Sequence, residues 1–271
     1  MPVGELVFIG LGLYDEQGIS LRGLAEAQFC DHIFAELYTS VMPGLVMERL
    51  SEKLAKPVQI LSRVDVEERA QDKILSKAKS GKVALLVAGD PMVATTHVDL
   101  RLRAQKAGIK TRIIHGASVA SAAAGVTGLQ SYKFGRTVTI PVQMPDLPES
   151  VYAGLRINFE SGLHSLVLLE VDVENNRRVT IPRALQQLLD FSDREKDELI
   201  KPETLAVGLA RLEAPDMIVR AATVFDLGLM DFGKPPYCLI FPGKLHFVEV
   251  EALEEFCGAR RDLVGELKRT N

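Results

Sequence analysis

The chain is expected to be an α/β protein of two domains, and three features of its 271 residues lead there. Hydrophobic residues make up 47% of the sequence and charged residues 25%, enough apolar surface to close two cores at roughly 100–200 residues per domain. In the first half, short β-rich apolar runs alternate with helix-length amphipathic stretches, the pattern of βαβ units feeding a mostly parallel sheet. In the second half, strands and helices follow in a more mixed order.

ELVFIGLG (residues 5–12) reads as the first strand and SLRGLAEAQFC (20–30) as the helix that returns the chain. HIFAELY (32–38) with GLVMERLSEKLA (44–55), VALLVAG (83–89) with HVDLRLRAQKAG (97–108), and TRIIHG (111–116) with ASVASAAAG (117–125) repeat that alternation. Pro141, Pro145 and Pro148 follow Tyr132–Lys133–Phe134–Gly135, which sets a domain boundary at about residue 136 and domains at 1–135 and 136–271. The second domain begins near RTVTIPV (136–142), with further strands at SLVLLEV (165–171), TLAVGLARL (204–212), AATVFDL (221–227) and YCLIFPG (237–243). Helices are expected at VYAGLRINFESG (151–162) and IPRALQQLLDF (181–191), the latter opened by Pro182, with Ala184, Leu185, Leu188 and Leu189 as a core-facing stripe. The following DREKDE (193–198) reads as a solvated loop or frayed helix end, because dense charge resists burial.

Lys plus Arg number 32 and Asp plus Glu 36, a net charge of −4 with no long basic run, which argues against non-specific nucleic-acid binding. Cys30, Cys238 and Cys257 show no C-x-x-C spacing, so neither a disulfide framework nor a zinc knuckle is expected and a reducing cytoplasm fits. No signal peptide is expected, and no stretch reaches the ~20 apolar residues of a membrane span. His32, His97, His115, His164 and His246 lack ligand spacing, so no metal is expected. A G-x-x-x-x-G-K-[ST] loop is absent, which argues against an NTPase.

Three segments carry candidate chemistry. Gly10–Leu11–Gly12–Leu13–Tyr14–Asp15 ends the first strand in a sharp turn, but Asp15 stands where a dinucleotide fingerprint needs its third glycine. Ala88–Gly89–Asp90–Pro91–Met92–Val93 follows the strand VALLV, at the end where parallel sheets present ligand-binding loops. Alone, it reads more simply as a turn in which Asp90 accepts backbone N–H groups. His115–Gly116–Ala117–Ser118–Val119 opens a helix of small residues against which a flat ring or ribose can lie, although tight helix packing explains it equally. The G-x-S-x-G nucleophile elbow is not met, because position 120 is Ala.

In this order the three segments resemble the tetrapyrrole-methylase superfamily of S-adenosylmethionine-dependent methyltransferases, and within it the diphthine synthase family. The narrower resemblance rests on F-A-E-L-Y-T-S (34–40), A-G-D-P-M-V-A-T-T-H (88–97), G-L-Q-S-Y-K-F-G (128–135), G-L-H-S-L-V-L-L-E (162–170), and D-F-G-K-P-P-Y with P-G-K-L-H-F-V-E (231–249). Leu13, where the superfamily usually has proline, fits the narrower family better.

The resemblance implies two α/β domains with the cofactor cleft between them, a homodimer, and trimethylation of the amino group of 2-(3-amino-3-carboxypropyl)histidine on translation elongation factor 2. Carried onto this sequence, it implies S-adenosylmethionine contacts at Leu13, Asp90, Val93, Ser118 and Val119, and in the second domain at Leu169, Ala210 and His246. Such a site needs close backbone approach, apolar walls and a few polar anchors, since the ligand is a sulfonium cation without phosphate. Glu36, Tyr38 and His97, from the specific blocks, are candidates for the acceptor side, with fold-holding roles the alternative. No catalytic base is assigned. The glycine motifs leave open a small-molecule, tetrapyrrole-type methyltransferase of the same fold, and a non-catalytic binding module is the reading furthest from it.

Overall fold

The computed structural model describes residues 4–265. Its contacts divide the chain into two compact units, one ending at Val119 and the other beginning at Ala120.

The first unit runs β1 (Glu5–Gly10), α1 (Leu21–Gln28), β2 (His32–Glu36), α2 (Met47–Leu54), β3 (Gln59–Leu61), α3 (Arg63–Glu67), a π turn (Gln71–Leu75), α4 (Ser76–Ser80), β4 (Lys82–Val87), α5 (His97–Lys106) and β5 (Lys110–Ile114). The strands form one wholly parallel sheet in the order β3-β2-β4-β1-β5. Successive residues of β1 serve opposite faces: Leu6 and Phe8 join one core with Phe34 and Leu85, while Val7 and Ile9 join another with Ala84 and Leu86. Burial on both faces is why the central strands β1 and β4 read as unbroken apolar runs. Ser20 starts α1 by accepting the Gly23 N–H at 3.0 Å, and Ser62 and Asp65 close a capping box on α3. Near the N-terminal edge, Arg112 and Lys82 bond Glu5 and Glu26. The Arg112 and Lys82 bonds hold the Glu26 carboxyl down at about 2.

The second unit carries α6 (Val119–Thr127), which opens at the division, then β6 (Val138–Ile140), α7 (Glu149–Glu160), β7 (Ser165–Leu169), β8 (Val171–Asp172), β9 (Arg177–Arg178), α8 (Ile181–Glu195), β10 (Leu205–Ala210), β11 (Ile218–Thr223), α9 (Val224–Gly228), β12 (Tyr237–Phe241), α10 (Phe247–Cys257) and α11 (Arg261–Gly265). Its sheet, in the order β11-β10-β12-β7-β6, is antiparallel except where β6 meets β7. The Ala184, Leu185 and Leu188 stripe of α8 packs in the core with Val167 and Leu239, while Leu189 is partly buried against it. Lys196 ends α8 in the left-handed conformation, within the charged run.

Two expectations change. The units divide at Val119, earlier than Gly135, because the stretch after α6 is tied to α10: Gln130 N donates to Glu249 at 2.9 Å and the Cys257 thiol faces Thr127 O. The stretch 221–227 is strand only to Thr223, whose hydroxyl accepts the Asp226 N–H at 3.0 Å and starts α9.

Candidate active site

β1, β4 and β5 run parallel, so the segments that leave them emerge at one edge of the first sheet. There three glycines meet main chain to main chain. A Cβ on Gly10 would lie 2.5 Å from both Gly116 N and Gly89 O, and a Cβ on Gly116 would lie 2.5 Å from Gly89 O. Gly12 and Gly89 exchange hydrogen bonds of 3.3 and 2.7 Å, and both have positive φ, 81° and 70°. Leu13, Asp90, Val93, Ser118 and Val119 all sit on the segments leaving this junction. Leu13 and Val119 are half-buried, Asp90 and Ser118 are buried, and Val93 is exposed.

The Asp90 carboxylate is built into the junction. Oδ1 accepts the Met92 N–H at 2.9 Å, and Oδ2 accepts from His115 Nδ1 at 2.7 Å and Gly116 N at 3.3 Å. The local turn expected from G-D-P is therefore present, and a second loop joins it.

Glu36, Tyr38 and His97 are brought together, but inside the unit. The Glu36 and His97 side chains are fully buried, with Glu36 Oε1 3.4 Å from His97 Nε2. Pro91 O lies 3.0 Å from His97 Nδ1, and a carbonyl can only accept, so Nδ1 carries the proton and Nε2 presents its lone pair to Glu36. Burial raises the Glu36 carboxyl to about 7 against the Thr39 bonds that lower it, and burial lowers the His97 imidazole. Both shifts favour the uncharged forms, an acid and a neutral ring, over an ion pair. Tyr38, 4% exposed, sits under the Arg63 guanidinium. Glu36 and His97 hold the loop from Pro91 to His97 from beneath, with both side chains closed off from solvent, which is the fold-holding arrangement.

In the second unit, β7 and β10 both run antiparallel to β12, so Leu169 and Ala210 end at the same edge of that sheet. Ala210 pairs with Tyr237, and Cys238 with Leu168, so Tyr237 begins β12 between them. All three belong to one buried cluster. His246 is not brought there. It follows the far end of β12, where Phe241 pairs with Ser165 at the start of β7. It is the N-cap of α10, accepting the Val248 N–H on Nδ1 at 3.4 Å, with its ring tilted against that of Phe247. The motif P-G-K-L-H-F-V-E is thus a helix start.

Glu249, the N3 residue of that capping box, is fully buried and gathers donors from distant blocks. It accepts from His246 N at 2.8 Å, Gln130 N at 2.9 Å, His164 Nε2 at 2.9 Å and the Lys133 ammonium. Burial alone would raise its carboxyl, but these donors outweigh it and hold it at about 2. Beside Ala210, Arg211 is 5% exposed with φ 51°, and its guanidinium donates to Phe232 O, Lys234 O and both the side chain and main chain of Asp216. Charge buried this deeply is visible in the sequence only as scattered Lys, His, Glu and Arg.

The three free cysteines are buried, and burial pushes their thiols up to about 11 for Cys30 and about 12 for Cys238 and Cys257, which removes them as nucleophiles at neutral pH. Among the described residues no group of His, Cys, Asp and Glu is arranged to hold a metal, and no helix is long and apolar enough to cross a membrane.

A parallel sheet whose glycine-lined loops share one edge, matched over residues 5–201 by the family model for tetrapyrrole (corrin/porphyrin) methylases, defines the class: the chain is a methyltransferase of the tetrapyrrole-methylase fold. Relatives across the whole chain narrow it. The diphthine synthase of Methanocella arvoryzae is 44% identical over 256 residues, covering 94% of this chain and 99% of its own, and that of Methanothermobacter thermautotrophicus is 43% identical over 260 residues, covering 96% and 98%. A crystal structure of diphthine synthase superposes with a TM-score of 0.87 at 35% identity, covering 96% of this chain and 99% of its own. A structure from Entamoeba histolytica gives 0.84 at 36% identity, covering 94% and 98%. The chain belongs to the diphthine synthase family.

Proposed function

We propose that this chain transfers methyl groups from S-adenosylmethionine to the amino group of 2-(3-amino-3-carboxypropyl)histidine on translation elongation factor 2, leaving a trimethylammonium group and S-adenosylhomocysteine. Kinship along the full chain with proteins named diphthine synthase carries the reading. The same kinship sets it above the small-molecule reading of the superfamily. A homodimer belongs to the same proposal, and sedimentation of the purified protein tests it.

The junction fits such a cofactor. Its main chains pack this closely only because Gly10 and Gly116 carry no Cβ, while at Gly89 a Cβ would meet nothing nearer than Ala117 O at 3.8 Å, so a ribose or methionine backbone can approach the main chain there. On this reading Leu13, Asp90, Val93, Ser118, Val119, Leu169, Ala210 and His246 are the residues that contact the cofactor. When bound, the cofactor supplies a methyl group on a sulfonium, already a strong leaving group. The chain then has to align and desolvate the partners, which can contribute roughly 7–11 kcal/mol. Asp90 offers the anchor for an amino or ribose group, and the apolar side chains exclude water. A model α-amino group ionises near pH ~8, so a usable fraction of the acceptor is neutral without a dedicated base.

The test is methyl transfer to elongation factor 2 carrying the modified histidine, read by peptide mass, with the unmodified factor as control. Mass gain on the modified factor alone is expected. Cofactor binding without gain on either would discard the protein acceptor.

A further inference from the structure

We infer that His115 is a positioning residue that fixes the plane of the Asp90 carboxylate, and with it the direction in which its open acceptor position points, an inference that rests on the proposed role of Asp90 as a cofactor anchor.

An ionised carboxylate has about four acceptor positions, two on each oxygen. Among the described residues three donors reach Asp90: Met92 N on Oδ1, and His115 Nδ1 and Gly116 N on Oδ2. Oδ2 is therefore saturated, and a single acceptor position remains, on Oδ1. Since the carboxylate only accepts, His115 Nδ1 carries the proton and donates.

The two backbone donors alone do not hold this arrangement firmly. The Gly116 bond is long at 3.3 Å, while the His115 bond is short at 2.7 Å and is made to a charged group. Partial rotation of the carboxyl about its Cβ–Cγ bond would swing the open acceptor position out of line, and the ring is what opposes it. The position of His115 makes this arrangement reliable. It is the last residue before Gly116, whose main chain is locked against Gly10 and Gly89, so its Cα cannot drift. Its side chain is 71% exposed, whereas that of Asp90 is 6% exposed. An exposed imidazole that reaches inward to a buried carboxylate adds little to the core, and its contribution falls on the geometry of the anchor.

The consequence is specific. The remaining Oδ1 position accepts an ammonium or hydroxyl donor from the ligand, and loss of the ring weakens binding of that donor without altering the methyl-transfer step. Asparagine serves as the diagnostic replacement, because its side-chain N–H sits close to where Nδ1–H of histidine sits, whereas alanine removes the donor.

The experiment compares wild type, His115→Ala, His115→Asn, Asp90→Ala and the Asp90→Ala/His115→Ala double variant. Calorimetric Kd for S-adenosylmethionine and for S-adenosylhomocysteine is measured, then KM and kcat for transfer, with a ligand-free melt of each variant. His115→Ala is expected to raise Kd and KM about tenfold with kcat and the melt unchanged, the scale of one hydrogen bond to a charged group. His115→Asn is expected within about twofold of wild type, and the double variant to bind like Asp90→Ala alone. Wild-type affinity in His115→Ala, equal weakening in His115→Asn, or further weakening in the double variant overturns the positioning role while leaving Asp90 as anchor. Wild-type affinity in Asp90→Ala overturns the anchor reading itself, and the role of His115 with it.

Discussion

His164 Nε2 donates to Glu249 Oε1 at 2.9 Å, and its Nδ1 accepts the Gly243 N–H at 2.9 Å, so the ring is neutral with its one proton assigned. The imidazole joins the start of β7 to the loop ahead of α10, and Glu249 completes the joint with Lys133. Replacing Glu249 by Gln turns one acceptor oxygen into a donor facing either the Lys133 ammonium or the His164 N–H. A loss of about 3–5 kcal/mol is expected, as for other broken buried charge pairs, read as a lower urea midpoint at unchanged slope. A midpoint within error of wild type would show that the network contributes nothing net.

The Glu36–His97 pair predicts a pH signature. The Glu36 carboxyl is raised from its ordinary 4.5 to about 7, so the folded state binds the extra proton and stability falls as pH rises between those values. The lowered His97 imidazole acts oppositely, adding stability as pH rises toward 6.5. Besides His97, Glu36 is faced by Thr39, Tyr38 and the Arg63 charge. Glu36→Gln removes only the carboxyl contribution, while its amide can still donate to His97 Nε2. The variant is expected to match wild type near pH 5 and to exceed it by roughly 3 kcal/mol near pH 8, measured by denaturation across that range. Parallel pH profiles would refute the neutral-pair assignment.

Two glycine substitutions should move stability in opposite directions. Gly116→Ala places a Cβ against main-chain atoms that cannot swing aside, Gly89 O at 2.5 Å and Gly10 C at 2.9 Å, and is expected to cost about 1–3 kcal/mol together with cofactor affinity. Gly125→Ala lies in α6 with nothing within 4 Å of the new methyl, and is expected to add about 0.5–1 kcal/mol. Thermal melts of both variants check this, and calorimetric titration with S-adenosylhomocysteine follows the first.

Arg211→Lys is expected to be far from conservative. The planar guanidinium serves Phe232 O, Lys234 O, Asp216 O and the Asp216 carboxylate at once, and a lysine ammonium cannot reach all four. Buried carbonyls left unpaired should lower stability by about 2 kcal/mol. Limited proteolysis should then cut first within residues 231–236, and an unchanged cleavage pattern would count against this account.

The architecture was legible wherever one period dominated. Strands β1 and β4 carry unbroken apolar runs because both faces are covered, and the helices between the strands are long enough to be read as such. What escaped was set by partners far along the chain. Lys133 and Glu249 are 116 residues apart and His164 and Glu249 are 85, and no local pattern announces such a meeting. α9 escaped because Thr223 and Val224 are β-branched and read as strand until the Thr223 hydroxyl caps the turn. For the site, the three glycine loops were readable, since chain order places them at the ends of neighbouring parallel strands. The place of Tyr237 between Leu169 and Ala210 was not, because it depends on the antiparallel direction of β12.

The junction of Gly10, Gly89 and Gly116 carries a last implication, for dynamics. A floor made of peptide units has no rotamers to freeze, so a ligand settling on it removes little configurational freedom from the protein beneath. Backbone order parameters at these three positions should already be high without ligand and stay there when it binds. Any ordering that accompanies binding then belongs to the rim, at Leu13 and at the exposed Val93, rather than to the floor.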